Sequence, residues 1–238
     1  MTFNKKPEMI IFDVGGTLFD DGKCDVAAGL EKLRLAAVNP LVTDSNELLG
    51  YWKEYCSALS GNDFEIPLGS VIRYVSMKTG LRFDIPMVQQ EEIFDRYNST
   101  REIIGGVQEL LSACKALGIR TAVISNNMMS GESLALSLKI WLSESDFEFC
   151  LSSADLLFKK PHKFLFESAM KFAGVEASRC IYCGDGFIPD VTGSLGCGMN
   201  AVLIDRKSDA EFEIRKYDDK DYIAVNNWNV FRKYLLEL

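Results

Sequence analysis

An acidic residue, Asp13, follows a short apolar run near the start of the chain. The run is Met9–Phe12, and Gly15, Gly16 and Thr17 come shortly after it. A short apolar run bounded by glycines is typical of a fully buried strand in a parallel sheet. Open α/β sheets bind ligands at the carboxyl ends of their strands, where Asp13 would lie. Because Asp and Gly are also common in turns, this stretch alone predicts either a functional carboxylate or a turn cap.

Three later stretches place polar groups at the end of an apolar run or at the start of a helix. They supply a hydroxyl, an ammonium and an acidic pair, in that order along the chain. The stretches are T-A-V-I-S-N-N at 121–127, K-K-P at 159–161, and I-Y-C-G-D at 181–185 with Asp190 five residues later. Order, spacing and chemistry together resemble the haloacid dehalogenase-like (HAD) hydrolase superfamily. Its four motifs are a nucleophilic Asp, a Ser or Thr, a Lys and a G-D-x-x-x-x-D acidic pair.

A carboxylate such as Asp13 can attack phosphorus and form an aspartyl phosphate, which divides one difficult hydrolysis into two steps. Attack by an anion on an anion requires charge neutralisation, and Mg²⁺ held by Asp13 and the acidic pair would supply it. The resemblance implies that Asp185 ligates Mg²⁺ directly and that the backbone carbonyl of Gly15 is a further ligand. It implies that Asp190 acts through water or orients the lysine. Asp190 could instead cap a helix before Val191.

Lys160 and Ser125 are expected to bind the nonbridging oxygens of a phosphoryl group. A fixed cation and a hydroxyl donor stabilise the charge of such a group, and Asn126 adds a side-chain or backbone donor. Lysines before prolines and serines after strands are also common at exposed helix starts and in turns. The order of these residues after Asp13 favours the functional interpretation. The K-P step of the family selects Lys160 over Lys159.

Gly15 departs from the family's phosphatases, which carry a second Asp at this position. That Asp protonates the leaving oxygen and later activates water. Glycine can offer its carbonyl oxygen to a metal, but it cannot move a proton. Because general acid–base catalysis is typically worth about 10²- to 10⁴-fold, we expect hydrolysis of plain alkyl phosphates to be slower by a factor of that order.

Three functions follow from this set of residues. The first is a magnesium-dependent phosphatase for a small phosphorylated metabolite. It would be weak, restricted to good leaving groups, or dependent on a proton donor from the cap or the substrate. The second is a haloacid dehalogenase, although those enzymes usually have an aromatic residue at the position of Gly15 and use no metal. The third is a phosphate-binding protein without turnover. A phosphonoacetaldehyde hydrolase with Lys53 as its cap lysine matches less well, because the residues around Lys53 depart from that family's motif.

Two residues near Lys160 also bear on the prediction. His162 is the single histidine of the chain. Histidine is a common general acid, so His162 could replace the missing acid, but its position favours an exposed helix start. Leu157 stands three residues before Lys160, where the family commonly has a glycine, so the resemblance does not fix the shape of this loop, although it still selects the lysine.

This chemistry requires a sheet that brings distant residues together, and the alternation of elements after residue 104 predicts one. The expected strands are Ile119–Ile124, Phe147–Leu151, Cys180–Cys183, Met199–Ile204 and, at the edge, Tyr222–Val225. The expected helices are Ile104–Leu117, Glu132–Leu142, Lys163–Phe172, Pro189–Leu195 and Val230–Leu236. Such alternation indicates an α/β fold with a doubly wound parallel sheet. The resemblance implies a Rossmann-like HAD core at residues 1–20 and 98–238, and the charged run at 218–221 is expected to be a solvated loop.

Residues 21–97 show helical periodicity and are predicted to form an inserted helical cap domain. The four expected helices are the apolar stripes at 26–37 and 48–59 and the segments Pro67–Lys78 and Pro86–Tyr97. Both prolines stand where a first helical turn tolerates one. In the family such caps close over the phosphate site and contribute substrate contacts. Tyr51, Trp52 and Tyr55 could line a pocket, but apolar residues at helical spacing are more typical of a core.

Composition limits the partners and the compartment. The net charge of −8 and the isoelectric point near 4.9 argue against nucleic acid or an anionic membrane as a main partner. Because no uncharged run approaches the roughly 20 residues of a membrane span and the N-terminus lacks a long apolar core, we expect a soluble cytoplasmic protein. Seven cysteines, an odd number, fit reduced thiols. Cys180 and Cys183 form a C-x-x-C, but on one strand they would point to opposite faces, as buried structural thiols.

Overall fold

The computed structural model of the chain describes residues 5–61, 64–143 and 145–238. Its strands are β1 (Met9–Phe12), β2 (Phe19–Cys24), β3 (Ser99–Ile103), β4 (Arg120–Ser125), β5 (Phe147–Ser152), β6 (Cys180–Gly184), β7 (Asn200–Ile204), β8 (Phe212–Tyr217) and β9 (Lys220–Val225). In this part of the chain seven strands form one sheet in the order β5-β4-β1-β6-β7-β9-β8, and β2 pairs with β3 separately. Neighbours in the large sheet are parallel except β8 and β9, which are antiparallel.

The described residues form ten α-helices, several of which cover the two faces of the large sheet. They are α1 (Val26–Leu35), α2 (Ser45–Ala58), α3 (Leu68–Thr79), α4 (Met87–Asn98), α5 (Val107–Ala116), α6 (Gly131–Trp141), α7 (Ser153–Leu156), α8 (Lys163–Ala173), α9 (Gly193–Gly196) and α10 (Trp228–Leu236). In β1, Ile10 and Phe12 pack with residues of α5, α6 and α10, whereas Met9 and Ile11 pack with residues of α8. A strand buried on both faces is typical of a sheet between two helical layers. The predicted doubly wound α/β fold is confirmed.

The inserted helices α1 to α4 pack around a hydrophobic cluster of their own. Side-chain caps begin two of them, since Asp25 accepts from the backbone N–H of Ala28 and Asp44 accepts from that of Glu47. Trp52 is buried in this cluster, and its ring stacks on that of Phe94 at 4.8 Å between centroids. Tyr51 and Tyr55 pack against the same cluster, so the expectation that these aromatic residues belong to a core is confirmed. The division of the chain into core and cap domains stays a prediction.

Sequence reasoning missed the short polar strands. Strands β2 and β3 flank the inserted helices and pair antiparallel, and β2 reads F-D-D-G-K-C, which lacks an apolar run. The segment Tyr222–Val225 was expected at the sheet edge, and this was wrong because β8 pairs outside β9. The expectation of a solvated loop at 218–221 holds for two of the four residues. Asp218 and Asp219 form the hairpin turn, whereas Lys220 and Asp221 are the first residues of β9.

The helix expected at Pro189–Leu195 is also different in form. The chain makes a π-helical turn at Phe187–Thr192 before the four residues of α9. Single π-helical turns of this kind are frequent at functional sites. The turn buries Asp190 rather than leaving it as an exposed cap at a helix start.

The cysteines behave as the sequence predicts. Cys180 packs in the cluster on one face of the sheet and Cys183 in the cluster on the other. Burial raises the pKa of Cys180 to about 11. The described residues contain free cysteines and no disulfide. Among the same residues, no helix has the length and apolar character that crossing a membrane requires.

We predict that Trp228→Ala lowers the free energy of unfolding by about 3–5 kcal/mol, the usual cost of removing a large buried aromatic side chain. Trp228 is fully buried, lies against Phe12 at 6.4 Å between ring centroids, and donates through Nε1 to the carbonyl oxygen of Thr17 at 2.7 Å. Chemical denaturation measures the change. The control is Phe172→Ala, because Phe172 is 74% exposed. Equal losses in the two variants would contradict the assignment of Trp228 to the core.

Candidate active site

The predicted site residues meet at the carboxyl edge of the sheet. Asp13 follows β1, and its backbone N–H donates to the carbonyl oxygen of Cys183 at 2.9 Å, which extends the pairing of β1 with β6 by one residue. Ser125 ends β4 and Gly184 ends β6, on either side of β1. One cavity of about 220 Å³ is lined by Asp13, Val14, Gly15, Arg101, Ser125, Asn126, Asn127, Lys160, Asp185, Pro189 and Asp190. Every residue that the sequence assigned to the site therefore lines this cavity.

Three carboxylates form the acidic part of the site. One oxygen from each of Asp13, Asp185 and Asp190 lies within 4.8 Å of the others. Partial desolvation and the charge of Asp13 raise the pKa of Asp185, and burial raises the pKa of Asp190 to about 6 against the opposing charge of Lys160. Repulsion of this kind favours a bound cation. Hard carboxylate oxygens are the ligands that Mg²⁺ prefers, so these residues fit the ion that the family implies.

A buried ammonium balances part of this charge. Lys160 Nζ lies 2.8 Å from Asp13 Oδ1 and 2.7 Å from Asp190 Oδ1, and its side chain is only 2% exposed. Burial alone would lower the pKa of Lys160, but the charges of Asp13 and Asp190 outweigh burial and raise its pKa. These contacts favour the protonated form of Lys160, which places a cation in the wall of the cavity. Lys159 has another environment, since its Nζ lies 3.8 Å from Glu65 Oε1.

Asn126 holds the backbone of Lys160 with both ends of its side-chain amide. The backbone N–H of Lys160 donates to Asn126 Oδ1 at 2.7 Å, and Asn126 Nδ2 donates to the carbonyl oxygen of Lys160 at 3.2 Å. The side chain of Asn126 therefore connects the second motif to the third. The sequence predicts either the side-chain amide or the backbone N–H of Asn126 as a donor to substrate. Because the side-chain amide is bonded to Lys160, we expect the backbone N–H to be that donor.

A second contact of the Asp190 carboxylate explains the burial of this residue. Asp190 Oδ2 accepts from the backbone N–H of Gly186 at 2.8 Å, while Oδ1 faces Lys160. Both oxygens thus have a protein partner, and the residue orients the lysine. Of the two roles that the resemblance implies for Asp190, action through water and orientation of the lysine, this geometry favours orientation of Lys160. It also favours that role over the alternative of a helix cap before Val191.

Two glycines shape the loop after Asp13. Gly16 has a φ of +65°, and a Cβ built on it would lie 2.1 Å from Asp185 Oδ2. Gly15 lines the cavity and brings no side chain. Among the described residues that line the cavity, the only carboxyl groups are those of Asp13, Asp185 and Asp190. The lining therefore offers no separate carboxylic acid to replace the Asp that Gly15 lacks.

The described cavity lining does not include three residues that the sequence singled out, namely His162, Lys53 and Leu157. His162 is an exposed N-cap of α8, where its Nδ1 accepts from the backbone N–H of Phe164 at 3.3 Å, so the expected surface position is confirmed. Lys53 is exposed on α2. Leu157 has a φ of 66°, so leucine adopts here the left-handed conformation that glycine prefers.

Two residues of the site escaped sequence reasoning. Arg101 on β3 lines the cavity and forms a bidentate ion pair with Asp95 of α4, with nitrogen–oxygen distances of 2.6 and 2.7 Å. Tyr182 on β6 lies beneath the cavity, with its hydroxyl 2.9 Å from Lys160 Nζ. Arg101 stands in a polar stretch and Tyr182 in an apolar strand, so neither position carries a motif.

A family model described as "Haloacid dehalogenase-like hydrolase" matches residues 10–204. The match includes every predicted site residue and most of the sheet. The chain belongs to the haloacid dehalogenase-like hydrolase family.

Particular relatives show what the chain is similar to. Haloacid dehalogenase-like hydrolase domain-containing protein 3 of Mus musculus is 25% identical over 135 residues, which are 56% of this chain and 53% of that protein. The chain thus spans about half the length of this relative. Glyceraldehyde 3-phosphate phosphatase of Pyrococcus furiosus is 25% identical over 227 residues, which are 93% of this chain and 90% of that protein.

A solved structure shows the same fold. The crystal structure of a 2-haloacid dehalogenase from Pseudomonas syringae pv. Tomato DC3000 has a TM-score of 0.63 and 21% identity, and the match covers 97% of this chain and 99% of that chain. At this identity the likeness concerns the architecture alone.

We predict that Gly16→Ala weakens binding of Mg²⁺ by about 10- to 100-fold, the usual effect of disturbing the surroundings of a metal ligand. The added Cβ would collide with the carboxylate of Asp185 and move it. The matched control is Gly118→Ala, since Gly118 has a φ of +67° and open space around its Cβ position. Both variants carry the same backbone strain, and calorimetric titration with Mg²⁺ separates them. Equal affinity in the two variants would show that Asp185 is no part of a metal site.

Proposed function

We propose that this protein is a magnesium-dependent phosphatase that acts through an aspartyl phosphate on Asp13. Its substrate would be a small phosphorylated metabolite with a good leaving group. The observation that carries the proposal is the convergence of Asp13, Asp185, Asp190 and Lys160 in one cavity. Similarity over 93% of the chain to a protein named glyceraldehyde 3-phosphate phosphatase supports phosphoryl chemistry.

In the first step a carboxylate oxygen of Asp13 forms a bond to phosphorus, and the bond from phosphorus to the leaving oxygen breaks. Lys160, the hydroxyl of Ser125 and the backbone N–H of Asn126 would stabilise the nonbridging oxygens. When bound, Mg²⁺ would neutralise charge between the phosphoryl group and the carboxylates of Asp13 and Asp185, with the Gly15 carbonyl as a further ligand. In the second step water forms a bond to phosphorus and the bond from phosphorus to the Asp13 oxygen breaks. The Asp13 carboxylate is regenerated, one water proton stays on the released inorganic phosphate, and the other passes to solvent or to a phosphate oxygen.

The missing acid decides which substrates suit this site. The leaving oxygen receives no proton from Gly15, and the described lining contains no separate carboxylic acid. The hydrolysis rates of acyl and aryl phosphates are lowered least, because their leaving groups are stable as anions. The same absence leaves the attacking water without a general base, so we expect hydrolysis of the aspartyl phosphate to be slow relative to its formation.

The alternative functions fit the cavity less well. A haloacid dehalogenase needs no metal, yet this site keeps three carboxylates within 4.8 Å of one another. A Schiff base at Lys53 needs that lysine at the substrate, yet Lys53 is an exposed residue of α2 outside the described cavity lining. A phosphate-binding protein without turnover would have the same cavity, so measurement of turnover separates it from the phosphatase.

We predict that p-nitrophenyl phosphate is hydrolysed in the presence of Mg²⁺ and that Asp13→Asn lowers this rate by about 10³-fold or more, as expected for loss of a nucleophile. The amide keeps the shape of the side chain and removes its charge. The control is Asp146→Asn, since the Asp146 side chain is 71% exposed and pairs with Lys115. Wild-type turnover in Asp13→Asn would refute the role of Asp13. Phosphate binding without turnover in the wild type would favour the binding protein.

We predict that Gly15→Asp raises turnover of an alkyl phosphate such as glycerol 2-phosphate by up to about 10²- to 10⁴-fold, the usual contribution of general acid–base catalysis. Turnover of p-nitrophenyl phosphate should rise less, because its leaving group needs no proton. Gly15→Asn is the matched control, since it has the same size and cannot deliver the proton. Initial rates for both substrates give the comparison. A gain in Gly15→Asn equal to that in Gly15→Asp would exclude the missing acid as the cause.

A further inference from the structure

The hydroxyl of Tyr182 has a defined hydrogen-bond direction. It lies 2.7 Å from the carbonyl oxygen of Ile124 and 2.9 Å from Lys160 Nζ, and the whole residue is buried. A phenol has one proton, and a carbonyl oxygen can only accept. Tyr182 therefore donates its hydrogen bond to the carbonyl oxygen of Ile124, and its own oxygen accepts a hydrogen bond from the Lys160 ammonium.

This contact completes the environment of the Lys160 ammonium. An ammonium has three protons to donate, and three acceptors lie within 2.9 Å of Nζ: Asp13, Asp190 and Tyr182. A phosphoryl oxygen can bind Lys160 only if one of these contacts is released. The contact with Asp13 is the one that chemistry weakens, because the carboxylate loses its charge when it bonds to phosphorus. Asp190 and Tyr182 continue to accept hydrogen bonds from Lys160 throughout.

Tyr182 also reaches the strand that carries Ser125. Tyr182 is on β6, Ile124 is on β4, and β1 lies between these two strands. The phenol thus crosses beneath β1 to the carbonyl group of the peptide that joins Ile124 to Ser125. The ring is held on this path by Phe166 of α8, at 5.2 Å between ring centroids. The Tyr182 hydroxyl therefore links three parts of the site. They are the end of β4 that carries Ser125, the end of β6 that precedes Asp185, and the ammonium of Lys160.

We propose that Tyr182 is a positioning residue, which holds the ammonium of Lys160 toward the phosphoryl group while one Lys160 proton turns from Asp13 to a phosphoryl oxygen. The proposal rests on the proposed phosphate site and adds a residue to it. It assigns to Tyr182 no contact with substrate, so its effect passes through Lys160.

The test is a double-mutant cycle read by calorimetric titration with inorganic phosphate in the presence of Mg²⁺. Tyr182→Phe should raise the Kd for phosphate by about 10-fold, as expected for loss of a hydrogen bond to a charged group. In a Lys160→Met background the same change should alter the Kd less than about twofold, because residues that act through one another are not additive. Tyr222→Phe, which removes another buried tyrosine hydroxyl on β9, should leave the Kd unchanged.

Two outcomes would overturn the proposal. Wild-type affinity in Tyr182→Phe would show that the hydroxyl does not position Lys160. An equal loss in both backgrounds would show that Tyr182 acts through packing. Should Tyr182→Phe fail to fold, 3-fluorotyrosine at position 182 keeps the shape and weakens the acceptor, and an unchanged Kd would again refute the proposal. Because the readout is binding, a wild-type protein that binds phosphate but hydrolyses nothing would refute the proposed phosphatase and leave the role of Tyr182 intact.

Discussion

The ammonium of Lys160, buried between two carboxylates, is the interaction on which the site depends. A lysine that is 2% exposed at its side chain would lose its proton or destabilise the fold without partners. Asp13 and Asp190 supply opposite charge, and Tyr182 accepts the third proton. The acids in turn need the cation, because three carboxylates within 4.8 Å repel one another. Asp13, Lys160 and the acidic pair therefore form one electrostatic unit.

The strand order creates this unit. β1 lies between β4 and β6, so the carboxyl ends of three strands from distant parts of the chain deliver Asp13, Ser125 and Asp185 to one edge. Lys160 reaches the same point from the loop before α8, where Asn126 fixes its backbone through two hydrogen bonds. In the proposed mechanism the architecture supplies the nucleophile, the hydrogen-bond donors and the cation, and it lacks a general acid because Gly15 has no side chain. We infer an enzyme that forms a covalent intermediate more readily than it hydrolyses it.

The sequence predicted the residues that meet in the cavity better than it predicted the elements and side chains that support them. Asp13, Ser125, Lys160, Asp185 and Asp190 were identifiable because each stands at the end of an apolar run or in a short motif, and the alternation of elements predicted the doubly wound sheet. Tyr182 was hidden because a tyrosine in an apolar strand looks like core, and only the three-dimensional contact with Lys160 distinguishes it. Arg101 and the strands β2 and β3 were missed because these short polar segments pair with each other across the inserted helices, far apart in sequence. Strand β8 was missed because its sequence is polar, although it pairs with the adjacent strand β9 in a hairpin.

The most direct measurement of the central claim is a rapid acid quench of the enzyme during turnover of an acyl phosphate that carries a radioactive phosphoryl group. The account predicts that label accumulates on the peptide that contains Asp13, because Gly15 cannot activate the water that would release it. The label should be removed by hydroxylamine, as an acyl phosphate is, and Asp13→Asn should carry none. Sustained turnover with no covalent label, or with label on another residue, would contradict the account.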